Sequence, residues 1–263
     1  MRMFTFAALA VSSVALAENI DVVDDIVTSE TWTADNVYNL TTQIYVRPGA
    51  TLTIQGGTRV VSTATANGSG ALCVTNGAQL FVNGDSNAPV VMTSNLDDGT
   101  WRASCNEWGN LTICGDAYIG FDGVTNSGGF PGNTLAPSAS NEANMEGLVE
   151  EAGNPTLNNY GGGDDNYDAG SISYLSIRYG GRVVGLSNEL NGLSLGALGR
   201  GTQIHHVEIM NNVDDGIEIW GGNVGLKYVT VWNIGDDSFD VDQGWRGKAQ
   251  FGLIVQGYSR NAS

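Results

Sequence analysis

Short apolar runs with every second position polar recur along this chain at fixed spacing. Between residues 202 and 243 one phrase occurs twice. The first copy reads Ile204-His-His-Val207-Glu-Ile209, then Asp214-Asp215-Gly-Ile217-Glu218-Ile219. The second reads Leu226-Lys-Tyr-Val229-Thr-Val231, then Asp236-Asp237-Ser-Phe239-Asp240-Val241, each position 22 residues after its match. Self-similarity at a fixed period of this length is the signature of a solenoid. Nearer the N-terminus the period is longer. Ile44-Tyr-Val46-Arg-Pro-Gly49-Ala50-Thr-Leu52-Thr-Ile54 matches Leu72-Cys-Val74-Thr-Asn-Gly77-Ala78-Gln-Leu80-Phe-Val82 at a shift of 28. A third run closes each coil, Arg59-Val-Val61 in one and Val90-Val-Met-Thr93 in the next, and Leu111-Thr-Ile-Cys114 supplies another strand.

Successive side chains of a strand point to opposite faces. Leu52 and Ile54 therefore share an inner face, and Thr51 and Thr53 an outer one. The Gly49-Ala50 and Gly77-Ala78 pairs sit at corners, where glycine turns the chain without a Cβ penalty. Three short strands per coil, all running one way, predict an all-β, right-handed parallel β-helix. Each coil of about 22–28 residues advances by about 4.8 Å and needs neighbours to bury its apolar face. Coils resume at Ile172-Ser-Tyr-Leu175-Ser-Ile177. The step of 32 from there to Ile204 places about ten extra residues near Ser187-Asn-Glu-Leu-Asn191.

Two segments depart from the period. Residues 18–40 are acidic and mixed, and an open first coil invites edge pairing, so they are expected to form an N-terminal cap. Residues 121–170 are rich in Gly, Asn, Ser, Asp and Pro and read as one long loop insertion, with a short helical possibility at 142–151. The insertion is either an excursion over one face of the helix or a mobile loop. Its Tyr160-Gly-Gly-Gly-Asp164-Asp165-Asn166 tract can hold a cation or simply be solvated. The last run, Phe251-Gly-Leu253-Ile-Val255, is followed by no polar closing segment, as expected where the natural continuation is missing.

Composition narrows the function. The 263 residues carry 28 acids against 11 bases, a net charge of −17. Phosphate backbones need a basic footprint, so nucleic acid is excluded, and an anionic membrane surface is equally unsuited. Cations are welcome, although acids also keep a secreted protein soluble. Arg2, the apolar stretch from Phe4 to Leu16 and the Ala15-Leu-Ala17 site form a signal peptide over residues 1–17, leaving a single β-helix domain over 18–263. A secreted, extracellular or cell-surface location is expected, and no second apolar run is long enough for a membrane span in the mature chain. Of the three cysteines, Cys105 and Cys114 are the closer pair and the expected disulfide, with Cys73 a buried small hydrophobe. Three scattered Cys and two adjacent His lack zinc-ligand spacing. Sequons stand at Asn39, Asn67, Asn110 and Asn261 and matter only in a glycosylating host.

The two acidic phrases are the concentrated chemistry. Stacked at 22 residues, Asp214 falls beside Asp236 and Asp215 beside Asp237. With Ile217, Ile219, Phe239 and Val241 facing in, Glu218, Asp240 and Asp242 face out. Such a ladder repels itself, raises its own pKa values, or shares a cation. Ca2+, a hard ion taking several oxygen ligands, suits Asp214, Asp215, Asp236, Asp237, Glu218 and Asp240. The same Asp residues can instead cap turn N–H groups at the corners. A third use is catalysis by Asp214, Asp236 and Asp237. A lyase would also need a basic group opposite them, for which Arg178, Lys227 and Arg246 are the candidates. Trp220, Trp232 and Trp245 are candidate sugar-stacking rings, by alternation or by position beside the acids, or else pack against the loop and the next coil. His205 and His206, adjacent on a strand, are expected on opposite faces with structural roles.

The segment from Trp32 to about Gln256 resembles secreted bacterial right-handed parallel β-helix proteins. The match lies in Gly49-Ala-Thr-Leu-Thr-Ile54, Trp108-Gly-Asn-Leu-Thr-Ile113, Leu175-Ser-Ile-Arg178-Tyr-Gly-Gly181, Asn191-Gly-Leu193-Ser-Leu195, Asp214-Asp-Gly-Ile-Glu218, and Gly235-Asp-Asp-Ser-Phe-Asp240 through Gln243-Gly-Trp245-Arg246-Gly247. That resemblance implies the pectin-lyase-like fold and an envelope or extracellular location, and no particular activity. Asn212-Val-Asp214 with Gly235-Asp236-Asp237 also resembles the acid arrangement of polygalacturonase-type glycoside hydrolases. The chain departs from that family in its histidines, which lie upstream, and in the spacing of Arg246-Gly-Lys248. Two functions follow: a surface protein binding carbohydrate or extracellular matrix, with Ca2+ at the ladder, or a polysaccharide hydrolase or lyase using the same acids.

Overall fold

The computed structural model describes residues 17–65, 70–121, 138–185 and 188–257. The signal peptide, apart from Ala17, and the sequons at Asn67 and Asn261 lie outside them. Among the described residues there are strands, turns and bends and no helix. The strands stack in parallel into an eleven-stranded and a six-stranded sheet. The larger sheet folds along its length, so a coil has three walls.

Each wall is built on an unbroken apolar column, aliphatic but for Phe239 at the end of the third. On the first, Ile54 pairs Val82, then Ile172, Ile204 and Leu226. On the second, Ile177 pairs Ile209 and Val231. On the third, Ile44 pairs Leu72, Leu111, Leu193, Ile217 and Phe239 in register. Nearly all of these side chains are buried in one continuous core. Burying each such side chain stabilises by about 1.5–3 kcal/mol, and a slip of one residue would turn a whole column outward.

The change of period has a local cause. In the early coils the first two walls are separate strands, Gln79–Asn83 and Val90–Ser94, joined by a corner at 84–89. From Gly170–Arg178 onward they fuse into single long strands: Gln203–Met210, Gly225–Trp232 and Lys248–Val255. Each bends at one residue with positive φ: Tyr174, His206, Tyr228 and Phe251. One left-handed residue thus replaces a six-residue corner. It also breaks the alternation. His205 and His206 do not point to opposite faces; their Nδ1 atoms approach to 2.9 Å. The bend residues form a ring stack, with centroids 4.2 Å apart for Tyr174 and His206, 4.5 Å for His206 and Tyr228, and 5.0 Å for Tyr228 and Phe251.

Residues 18–40, where a cap is expected, continue the sheets. Glu18–Val22 pairs Asn36–Leu40, which pairs Arg59–Ser62, while Glu30–Trp32 pairs Thr51–Gln55. The extra residues before Asn191 make a small antiparallel hairpin of Val183–Gly185 with Asn188–Glu189.

The described part of the insertion lies flat on the outside of the third wall. Its 142–151 stretch is not helical. Ala143–Asn144 pairs antiparallel with Asn159–Tyr160 instead, so Met145 and Tyr160 can both reach the wall. Ala143, Met145, Leu148 and Tyr160 cover Tyr45, Ala71, Cys73, Cys114 and Trp220 in a second apolar core. Its rim is polar. The amide of Gln43 exchanges hydrogen bonds with the Val149 backbone, and Arg47 donates to both oxygens of Glu151 at 2.6 Å.

This cover overturns the expected disulfide. No disulfide joins the three cysteines. Cys114 is buried against Cys73 on the covered wall, away from Cys105. The sequon residue Asn110 is also inside, donating to Ser194 Oγ at 3.0 Å and accepting from Thr112.

Candidate functional site: a carboxylate cluster at the edge of the insertion

The acidic phrases occupy the corner between the second and third walls and the strands that follow it. Gly235 makes the close stacking of those corners feasible, because a β-carbon there would overlap the Val213 carbonyl oxygen of the preceding coil. Asp214 and Asp236 are brought together by this stacking. The strands Ile217–Trp220 and Phe239–Asp242 then pair in parallel, placing Glu218 directly opposite Asp240.

Asp215 has two roles. Its Oδ1 accepts the Asp237 backbone N–H at 2.8 Å, and its own N–H donates to Asn191 Oδ1 at 3.1 Å. A side-chain acceptor from one rung thus satisfies the backbone donor of the next. Asp215 also belongs to both compact acid groups of this region, Asp214–Asp215–Asp236 and Asp215–Glu218–Asp240. Within each group the ligand atoms all lie within 4.8 Å of one another. The Asp237 side chain is exposed and belongs to neither group.

Outward proves different from exposed. Glu218 faces out from its strand yet is only 8% exposed, and Asp215 is 7% exposed. Asn191 Nδ2 donates to Glu218 at 2.6 Å. The insertion adds Glu146, which lies in an aperiodic loop and has no periodic signal in the sequence to mark it. Burial pushes Glu218 up to about 10, aided by Glu146, Asp215 and Asp240. Asp215 rises to about 8 through burial and Asp214, and Asp214 to about 6 through burial, Glu189 and Asp236. Glu146 rises to about 7. Protein atoms crowd its carboxyl, with Asp214, Glu189 and Asp240 nearby, although much of the residue's surface stays open to water. Asp240 is raised too, first by burial.

Charges this close normally find a basic partner. The candidate bases are engaged elsewhere. Arg178 Nε donates to Ser176 at 2.8 Å, and the guanidinium lies 3.6 Å from Glu208. Arg246 forks onto Asp165 at 2.5 and 2.6 Å, tying down the Gly-Asp tract of the insertion. Lys227 lies over the Tyr228 and Phe251 rings. The donor set left at the corner is all carboxyl oxygen, clustered from two rungs, and it fits a hard divalent cation that displaces the protons these groups otherwise hold.

The tryptophans separate. Trp220 faces outward but is 5% exposed, under the insertion and 6.2 Å from the Tyr160 ring, so no sugar reaches it. Trp245 packs against the core beside Phe239, its Nε1–H donating to the Val224 carbonyl at 3.1 Å. Trp232 remains partly exposed on the outer face, with the Trp101 ring stacked 6.5 Å away. Trp101 sits outside the repeats, and no periodic signal in the sequence points to it.

A stack of parallel coils with an acid-bearing corner defines a parallel β-helix protein of pectate-lyase-like architecture. A family model, the pectate-lyase-like beta-helix domain, matches residues 24–263, and the chain belongs to that family. Neither the curated proteins nor the solved structures compared with the chain gave a match.

Proposed function

We propose that this chain is a secreted or cell-surface β-helix protein that binds acidic polysaccharide or matrix through a divalent cation, Ca2+ by its chemistry, at the corner acids. One observation carries the reading. Asp215 joins two carboxylate triads, partly buried, in which burial and the neighbouring acids raise the pKa values. Asp214, Asp215, Asp236, Glu218 and Asp240 would hold the ion. Protonation and cation binding are the two ways to relieve such crowding, and at neutral pH the cation competes well. Exposed Asp236 and half-buried Asp214 leave the site open on one side, where a uronate carboxylate can complete the coordination.

A hydrolase reading rests on a different observation: Asp214, raised to about 6, lies beside the exposed Asp236, as a proton donor would lie beside a base. The engagement of Arg178, Lys227 and Arg246 elsewhere disfavours a lyase. Calcium titration with polygalacturonate, by calorimetry and by release of reducing or unsaturated ends, tests both. Calcium-dependent binding without product release supports the binding protein. Product release lost in Asp214→Asn supports the enzyme. No calcium effect on melting or binding overturns the cation.

A further inference from the structure

The cation corner leaves one exposed feature unused. Trp101 is 53% exposed, and its ring lies nearly parallel to that of Trp232, at 20°. One indole face is covered and much of the rest of the ring is in water. A mobile loop would not keep such an arrangement. This loop is fastened. The Arg102 carbonyl accepts from Asn211 Nδ2 at 2.8 Å, and its N–H donates to the Tyr179 hydroxyl at 3.3 Å. The Arg102 guanidinium sits 4.5 Å over the Tyr179 ring and forks onto the buried Glu107 carboxylate at 2.7 and 2.8 Å. Trp101 is thus a preorganised flat surface, with little ordering left to be done on binding.

We propose that Trp101, seated on Trp232, is a stacking platform for one pyranose ring of a polysaccharide. This rests on the polysaccharide reading above and adds a subsite to it. A pyranose carries an apolar C–H face and a rim of hydroxyls. The indole matches the face, as flat aromatic surfaces do. On the same wall, Glu208 one rung away, its partner Arg178 two rungs away and Thr230 two residues back on the Trp232 strand can meet the rim at roughly 5–10 Å. The placement suits one continuous ligand. Trp232 ends the strand that leads into the 233–236 corner, and that corner carries Asp236 of the cation cluster. A glycan laid across the corner would meet the carboxylates on one side and the indole on the other. Leu253 and Val255 extend the apolar strip beside Trp232, which makes a second copy of the chain the competing occupant.

The test uses the full chain, calcium, a six-residue oligogalacturonate and neutral cellohexaose. Trp101→Ala is expected to weaken sugar binding about tenfold, while Trp101→Phe retains most of it. The calcium-induced rise in melting temperature should not change in either variant. In the wild type, upfield shifts of sugar C–H protons under the ring current report stacking without any substitution. Unchanged affinity in Trp101→Ala, with no ring-current shift, overturns the platform and leaves the polysaccharide reading standing. Failure of the wild type to bind either sugar overturns both. Self-association of the wild type that is lost in Trp101→Ala, without sugar binding, assigns the face to a second copy and overturns the platform.

Discussion

The carboxylate of Asp215 accepts the backbone N–H of Asp237, one coil further on, at 2.8 Å. The same side chain therefore caps a corner and contributes to an acid cluster, and the two roles separate by substitution. Asparagine keeps the acceptor, as Asn191 does one rung earlier for the N–H of Asp215. Asp215→Asn is expected to keep or raise stability without cation and to abolish the calcium-induced rise in melting temperature. Asp215→Ala leaves a backbone donor without its partner and should lie about 1 kcal/mol or more below Asp215→Asn in urea unfolding. Equal stability of the two variants would remove the cap from the account.

Stability without cation should fall as pH rises. Asp214, Asp215, Glu218 and Glu146 hold their protons more tightly in the folded chain, at about 6, 8, 10 and 7. Above the ordinary carboxylate range the unfolded chain loses its protons first, so each further step in pH favours unfolding until the folded values are passed. Melting in EDTA between pH 5 and pH 9 should show a falling midpoint, and calcium should flatten that slope. A midpoint in EDTA that is level or rising over this range contradicts the raised values.

Glu218→Gln isolates the acid whose pKa is raised furthest in the set. Glutamine can still accept from Asn191, so the hydrogen bond survives while the charge is lost. The variant should melt higher than the wild type at pH 9 and nearly the same at pH 5. Each ~1 kcal/mol moves the midpoint of a domain this size by about 2–4 °C.

The insertion should detach when its apolar anchor is removed. Trp220→Ala empties the space between Tyr160 and the third wall, at an expected cost of about 3 kcal/mol. Protease cleavage within residues 138–160 should speed up accordingly. Sugar affinity measured on folded protein should be little changed, because Trp220 is covered.

Thiol chemistry checks the covered wall independently. Intact mass should report three reduced cysteines. Cys105, half-buried, should react with a thiol reagent first, and Cys73 and Cys114 only after denaturation. A native Cys105–Cys114 bond would contradict the packing of Cys114 against Cys73.

The aliphatic columns were legible because alternation and period are local properties. Ile54, Val82, Ile172, Ile204 and Leu226 occupy one column since each sits at the same offset in its repeat. Face was legible on the same grounds for Glu218 and Trp220, but exposure was not. Whether an outward side chain meets water depends on residues 138–160, which come from elsewhere in the chain and have no period. Glu146 and Trp101 were hidden because both lie in stretches without a period. The histidine geometry failed differently. His206 has φ of 54°, and a left-handed residue cancels alternation. A signal was present: Tyr174, His206, Tyr228 and Phe251 align as one ring-bearing position across four repeats.

That ring-bearing bend constrains where the chain can vary in length. From Gly170 onward the first two walls are one strand, turned by a single residue, with rings stacked rung on rung. An added residue there would shift every side chain beyond it to the wrong face and break the stack. Insertions must enter at the remaining corners, as the hairpin before Asn191 does. The carboxylates gather at one of those corners, so the part of each coil free to change is also the part that carries the chemistry.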